Sequence, residues 1–302
     1  MNVQINNSVG ARFKLLARKA STEEITRETE WFKNIVLDTG LNRMSVGTWI
    51  DRVRVGSGNS TPVASQTQLD NTIASTTTLF GGNGTISKQT TTSPYYVAVN
   101  RTYRFAEGVA AGNISEVGCG WGTGLALWNR ALVKDLNGDP TTITVLSDEF
   151  LDVIVEVRYY PTQSFSGSFN LLNKTGGIVS SHTYAGLPQF SEYNAGFDMM
   201  LSRGVSLYSG SMNSINTDPS NLIGSVITTS SSYPNPITLK SASTFELTEA
   251  VGSIKTIRFD FNVISKGIGS AYKFEIDPPI VKTNQMVLSF TFSISWGRYE
   301  GA

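Results

Sequence analysis

The chain has 302 residues, and its 24 Lys plus Arg are balanced by 24 Asp plus Glu, so the formal net charge is zero. Apolar residues make up 40% and charged residues only 16%, and Ser, Thr, Asn and 28 glycines fill the difference; this composition suits sheets and turns and is poor material for exposed helices. The neutral balance argues against nucleic-acid or anionic-membrane binding through bulk charge, and with Cys119 as the single cysteine no intrachain disulfide can form, which suits a reducing cytoplasm.

Residues 1–7 lack the basic stretch and apolar run of a signal peptide, and no apolar run approaches the roughly 18 residues of a membrane span. Residues 1–28 are mixed and polar, and the expectation is an extended N-terminal arm ordered by contacts to something else, with a short strand at most over 13–17. On that reading the arm could be removed and the rest would still fold. Phe32, Ile35 and Val36, with Leu41 beyond, have helical spacing, and Gly40 can act as a stop, so one short helix is expected near 31–41. Residues 50–55 alternate as a strand, and 56–94 read as a long polar loop lying on the surface or on a partner.

Strands are expected over 95–105, 113–121, 125–133 and 141–145. Leu151, Val153, Val155, Val157 and Tyr159 then share one face of a strand whose other face carries Asp152, Glu156 and Arg158, and Pro161 ends it. Ile257, Phe259, Phe261 and Val263 repeat the alternation, and residues 271–276 lead into a turn at Asp277–Pro278–Pro279. The clearest signal comes last: Leu288, Phe290, Phe292, Ile294 and Trp296 alternate with Ser289, Thr291, Ser293 and Ser295. A period of two makes one face apolar and coats the other with hydroxyls, along a strand of about 30 Å.

The fold class expected is mainly β, an antiparallel β-sandwich. Residues 139–160 and 278–299 share a pattern of proline-bearing turn, short strand, polar turn and long alternating strand ending in Arg and Tyr. Two tandem sandwiches are one reading of this, and independent strands obeying one rule are the other. The division expected is an arm at 1–28, a first β domain at 29–161 containing the polar loop, and a second β domain at 165–302.

Candidate chemistry is sparse. His182 is the only histidine, in no metal-ligand spacing, and no Gly-x-Ser-x-Gly elbow accompanies it. A triad is recognised by geometry, so His182 stays a candidate base against the plainer reading of a hydrogen-bonded structural residue. Gly118-Cys119-Gly120-Trp121-Gly122-Thr123-Gly124 invites a nucleotide-loop reading but lacks the Lys-Ser/Thr pair and a surrounding βαβ unit. Close backbone approach, with Cys119 as a small buried residue, accounts for it better. Asp148 with Glu149, or Asp152 with Glu156, could be glycosidase carboxylates, although acidic residues are ordinary at turns. Trp121, Trp128, Tyr159, Tyr160 and Trp296 could stack on sugars, and core packing explains them more simply. No catalytic, cofactor-binding or metal residue is therefore assigned, and no cofactor is expected.

Several segments together carry a resemblance. Residues 31–41 (Trp-Phe-Lys-Asn-Ile-Val-Leu-Asp-Thr-Gly-Leu), Val55 to Pro62 with Gln66 to Leu69, Tyr103 to Phe105 through Gly112 to Gly118 and on to Asn129–Leu132, and Pro140 to Leu146 leading into the Leu151 strand follow one another in characteristic order. Across roughly residues 12–161 this pattern resembles a family of tailed-bacteriophage virion proteins often labelled tail fibre or minor structural protein, and Trp296-Gly297-Arg298 is more loosely similar. The resemblance implies a virion structural protein that is tail-associated (a fibre, collar or tip component) and acts by assembly with other virion proteins. It carries no active site. A homo-oligomer is expected, with a trimer favoured, made in the host bacterial cytoplasm and located in the virion. The alternatives are a capsid decoration protein and a receptor protein that binds or cleaves a host surface glycan.

Overall fold

The computed structural model describes residues 2–190, 194–266 and 270–300. The chain is mainly β, with a single short helix among the described residues. Its organising element is the first strand, Asn2–Lys19, which is far longer than the stretch expected over 13–17. Along one edge its residues 8–19 pair antiparallel with Glu149–Tyr160. Along the other, residues 2–9 pair in parallel with residues 291–298 of the last strand, Leu288–Arg298. Further strands extend the sheet to nine, with Tyr96–Phe105 and Leu79–Gln89 on one side, Thr238–Phe245 and Ser230–Asn235 on the other, and the short Ile25–Glu28 and Phe32–Lys33 paired to the first strand itself.

The registers bring the inward residues of the first strand and of the two long alternating strands beside it onto one face. Val3 lies opposite Phe292, Ile5 opposite Ile294, Val9 opposite Tyr159 and Phe13 opposite Val155, and each of these side chains is buried. A six-stranded antiparallel sheet covers part of this apolar face: Phe259 stacks on Phe292 at 4.5 Å and Phe261 meets Tyr159 at 6.3 Å. A five-stranded sheet, with Val53, Val55, Val117 and Cys119 buried, belongs to the same continuous core. The result is sandwich-like packing in which one long sheet faces smaller ones.

Residues 1–28 are therefore no arm over their described length. Val3, Ile5, Val9, Phe13, Leu15 and Ala17 alternate inward and are buried, and Asn7, the polar member of that face, accepts from the Tyr272 hydroxyl of the six-stranded sheet. The polar look of the segment comes from its outward residues. The stretches before and after 162–167 also share the long sheet, and the first strand joins them. The two long strands singled out as a repeat lie on opposite sides of the first strand, one antiparallel to it and one parallel.

The helix is Asp38–Arg43, later than expected, and Phe32–Lys33 and Ile35–Val36 are short strands. Gly40 sits inside the helix, where a Cβ would lie 2.2 Å from the Trp128 carbonyl oxygen, so close packing and not helix termination requires glycine there. Residues 56–94 are not one loop, since Thr72–Thr76 and Leu79–Gln89 are strands with mostly polar side chains on both faces. Asp277–Pro278–Pro279 makes no turn either; it lies within the Ser270–Lys282 strand.

Candidate binding surface

His182 lies in the Ile178–Phe190 strand and is buried, with Phe169 stacked on its ring at 5.2 Å. Its Nδ1 is 2.6 Å from the Pro278 carbonyl oxygen and its Nε2 is 2.6 Å from Ser180 Oγ. A carbonyl can only accept, so Nδ1 carries the proton and Nε2 accepts from the serine. The position that a triad carboxylate would occupy is held by main chain.

The glycine-rich segment is organised around a cation. Arg54 is buried in the Arg52–Gly56 strand and donates to the carbonyl oxygens of Ala126 (3.2 Å), Gly122 (3.2 Å) and Gly124. A phosphate loop points N–H groups at its ligand, whereas here carbonyls converge on a guanidinium. Gly120 permits the approach, since a Cβ there would lie 2.2 Å from Ala126 O. Cys119 is buried beside it, and burial pushes its thiol pKa up, which keeps it protonated.

The four carboxylates end on basic or hydrogen-bonding partners. Asp148 pairs with Lys19; Glu149 is buried against Thr26 Oγ1 (2.6 Å), Leu146 N (2.8 Å) and Arg27. Asp152 accepts from Arg18 (2.9 Å) and twice from Arg104 (2.6 and 2.8 Å). Glu156 is gripped by both ends of Arg12 (2.9 and 3.1 Å) and by Arg158. Asp152 and Glu156 are four residues apart on one strand face, about 13 Å along the strand, beyond the roughly 5–9.5 Å of a glycosidase pair.

The aromatic residues divide. Trp128, Trp296 and Tyr159 are buried, and Trp296 donates to Leu41 O at 2.9 Å, tying the helix to the last strand. Trp121 is partly exposed beneath the Arg43 guanidinium. Tyr160 points away from the core and stacks on Tyr299, with centroids 3.6 Å apart and planes 11° apart, while Tyr96 tilts against it at 5.7 Å.

That stack lines a cleft of about 260 Å³ on the outer face of the long sheet, formed with Gly10, Ala11, Arg12, Lys33, Asn34 and Arg158. Arg12 and Lys33 are direct cross-strand partners. The Asn34 amide has both Oδ1 and Nδ2 buried without a protein hydrogen-bond partner.

Sequence reasoning also missed the best-connected buried ions. Glu116 and Arg130 are buried together at 2.8 Å, and the same carboxylate accepts from the amides of Gly58 (2.8 Å), Asn71 (2.9 Å) and Asp70 (3.1 Å). One side chain thus ties together the two ends of the 57–71 connection. Three more buried cations repeat the device used by Arg54: Arg101 donates to Asn83 O and Ala195 O, Lys273 to Ser214 O and Thr217 O, and Lys282 to Glu246 O and Leu247 O. Burial lowers the Lys273 ammonium to about 8. Nothing in the local sequence separates these residues from solvated basic ones.

Among the described residues, no group of three or more His, Cys, Asp and Glu side chains is placed to hold a metal ion, and no helix is long and apolar enough to cross a membrane. The chain matches no family model, no curated protein and no solved structure.

Proposed function

We propose that the protein is a bacteriophage virion structural component, tail-associated, that works by assembling with copies of itself and with other virion proteins. The observation that supports this best is an apolar hairpin tip. Leu172 and Ile178 are cross-strand partners at the end of the 165–190 hairpin, and Leu172, Ile178 and Val179 are 60%, 63% and 58% exposed. Large apolar side chains grouped in the open mark contact sites, and a neutral chain offers little repulsion between copies. The placement of the sequence-flagged groups agrees with a binding role: His182, Asp152, Glu149 and Glu156 are tied up in structural contacts.

The test is the mass of the purified chain in solution by light scattering, for the wild type and for Ile178→Asp. The proposal expects an oligomer, with a trimer favoured, that Ile178→Asp dissociates without lowering the melting temperature of the monomer. A wild-type monomer at high concentration that also fails to bind purified particles would overturn it.

A further inference from the structure

We infer that the outer-face cleft between Tyr160, Tyr299, Arg12, Lys33, Asn34 and Arg158 binds a carboxylated sugar ring, a role separate from assembly. The first argument is charge. Arg12, Lys33 and Arg158 meet at the cleft, and among the described residues Glu156 is the only carboxylate paired with any of them; it is shared by the two arginines. Among the described residues Lys33 has no ion-pair partner, and it stands directly across from Arg12. Like charges directly opposite each other in a sheet destabilise it, and an anion between them reverses that effect.

The second argument is shape. The Tyr160–Tyr299 stack, in which each ring covers one face of the other at 3.6 Å between centroids, gives the cleft an aromatic wall. The C–H face of a pyranose packs on such a wall, leaving its hydroxyls free to hydrogen-bond. A cleft of about 260 Å³ falls below the roughly 300–1,000 Å³ of drug-sized pockets, which suits a single sugar ring.

The third argument is unmet hydrogen bonding. Asn34 lines the cleft, and its amide Oδ1 and Nδ2 are closed off from solvent with no protein hydrogen-bond partner, so a ligand meets this acceptor and these donors when the side chain turns outward. A sugar hydroxyl can both give to and accept from such an amide. A bare anion can only accept.

Gly10 supplies a clean test. It lines the cleft, its backbone is not left-handed, and a Cβ there would meet only ordinary contacts, 3.5 Å from Tyr299 Cβ and 3.7 Å from Tyr160 Cε2. Gly10→Val therefore fills the cleft and leaves every charge in place, and Lys33→Gln removes one exposed charge. Calorimetric titration of the full chain would use D-glucuronate, D-galacturonate and N-acetylneuraminate, with D-glucose and sodium acetate as the ring-only and carboxylate-only controls. At least one acidic sugar should bind about tenfold more tightly than either control. Gly10→Val and Lys33→Gln should each weaken it about tenfold with unchanged melting temperature, and the distant Lys174→Gln should have no effect. Acetate binding as tightly as the acidic sugars, no acidic sugar binding, or binding indifferent to both cleft variants would each overturn the inference.

Discussion

Phe292 and Phe259 stack with ring centroids 4.5 Å apart and planes 13° apart, and this contact joins the last strand of the long sheet to the six-stranded sheet across the core. Phe274 packs on the same ring at 6.0 Å. Truncating a buried phenylalanine removes its transfer free energy and leaves a cavity. Phe292→Ala should therefore destabilise the protein by about 3–5 kcal/mol in denaturant unfolding, whereas Thr291→Ala, on the opposite face, should stay within about 0.5 kcal/mol. Equal, small effects at both positions would show that the packed face has been misassigned.

The first strand gives a second prediction. Residues 2–9 supply the whole parallel pairing with the last strand, and Asn7 accepts from Tyr272 of the facing sheet. Deleting residues 1–9 exposes two strand edges and uncovers Trp296, Ile294 and Phe292. The truncated chain should lose its cooperative thermal transition in calorimetry. A retained sharp transition would restore the arm reading that the sequence suggests.

The Glu116–Arg130 pair gives a third. Glu116→Gln leaves the buried Arg130 guanidinium with Asp70, one-third exposed, as its remaining carboxylate beside the Ser60 hydroxyl, and weakens the hold on the amides of Gly58, Asp70 and Asn71. Removing one partner of a buried ion pair costs about 3–5 kcal/mol. Limited proteolysis should show faster cleavage within residues 57–71, and an unchanged cleavage rate there would contradict the anchoring role.

Glu149 makes stability depend on pH. Burial alone would raise its pKa, but the Thr26 hydroxyl, the Leu146 amide and Arg27 outweigh that and hold it below the usual glutamate range. The unfolded chain then binds this proton more readily than the folded one, so the stabilisation is present at neutral pH and is lost as pH falls through the depressed folded value. In urea melts, wild type should exceed Glu149→Gln at about pH 7, and the gap should narrow progressively as pH falls below the unfolded glutamate value of about 4.3. A gap independent of pH would mean that ionisation of Glu149 contributes nothing.

Much of the fold was legible wherever one strand face is apolar and the other polar. Leu288 to Trp296 and Leu151 to Tyr159 announce their buried faces through alternation alone, and both faces are buried as read. The first strand is harder, because Asn7 interrupts its inward row at Val3, Ile5 and Val9, and its partners Thr162, Tyr272 and Ser295, all more than 150 residues away, explain that asparagine. Thr72–Thr76 and Leu79–Gln89 were missed because strands with polar side chains on both faces resemble loops. The helix was misplaced because Phe32 and Val36 satisfy a helical spacing although their backbone is extended.

The candidate surface was less legible. Tyr160 was noticed, but Tyr299, Arg12 and Lys33 reach it only through strand pairing, which brings residues 10, 33, 158 and 299 together from distant parts of the chain. The buried cations Arg54, Arg101, Lys273 and Lys282 are indistinguishable in sequence from exposed ones, since their partners are main-chain carbonyls.

As proposed, this chain would be a symmetric building block of a phage tail. A side-chain-resolution density map of particles purified from the host that carries the gene tests it most directly. The expected result is a ring of copies in the tail, each with the nine-stranded sheet intact and the Leu172–Ile178 hairpin tip buried against a neighbouring copy. Particles that are complete and infectious without any density or peptide from this chain would contradict it.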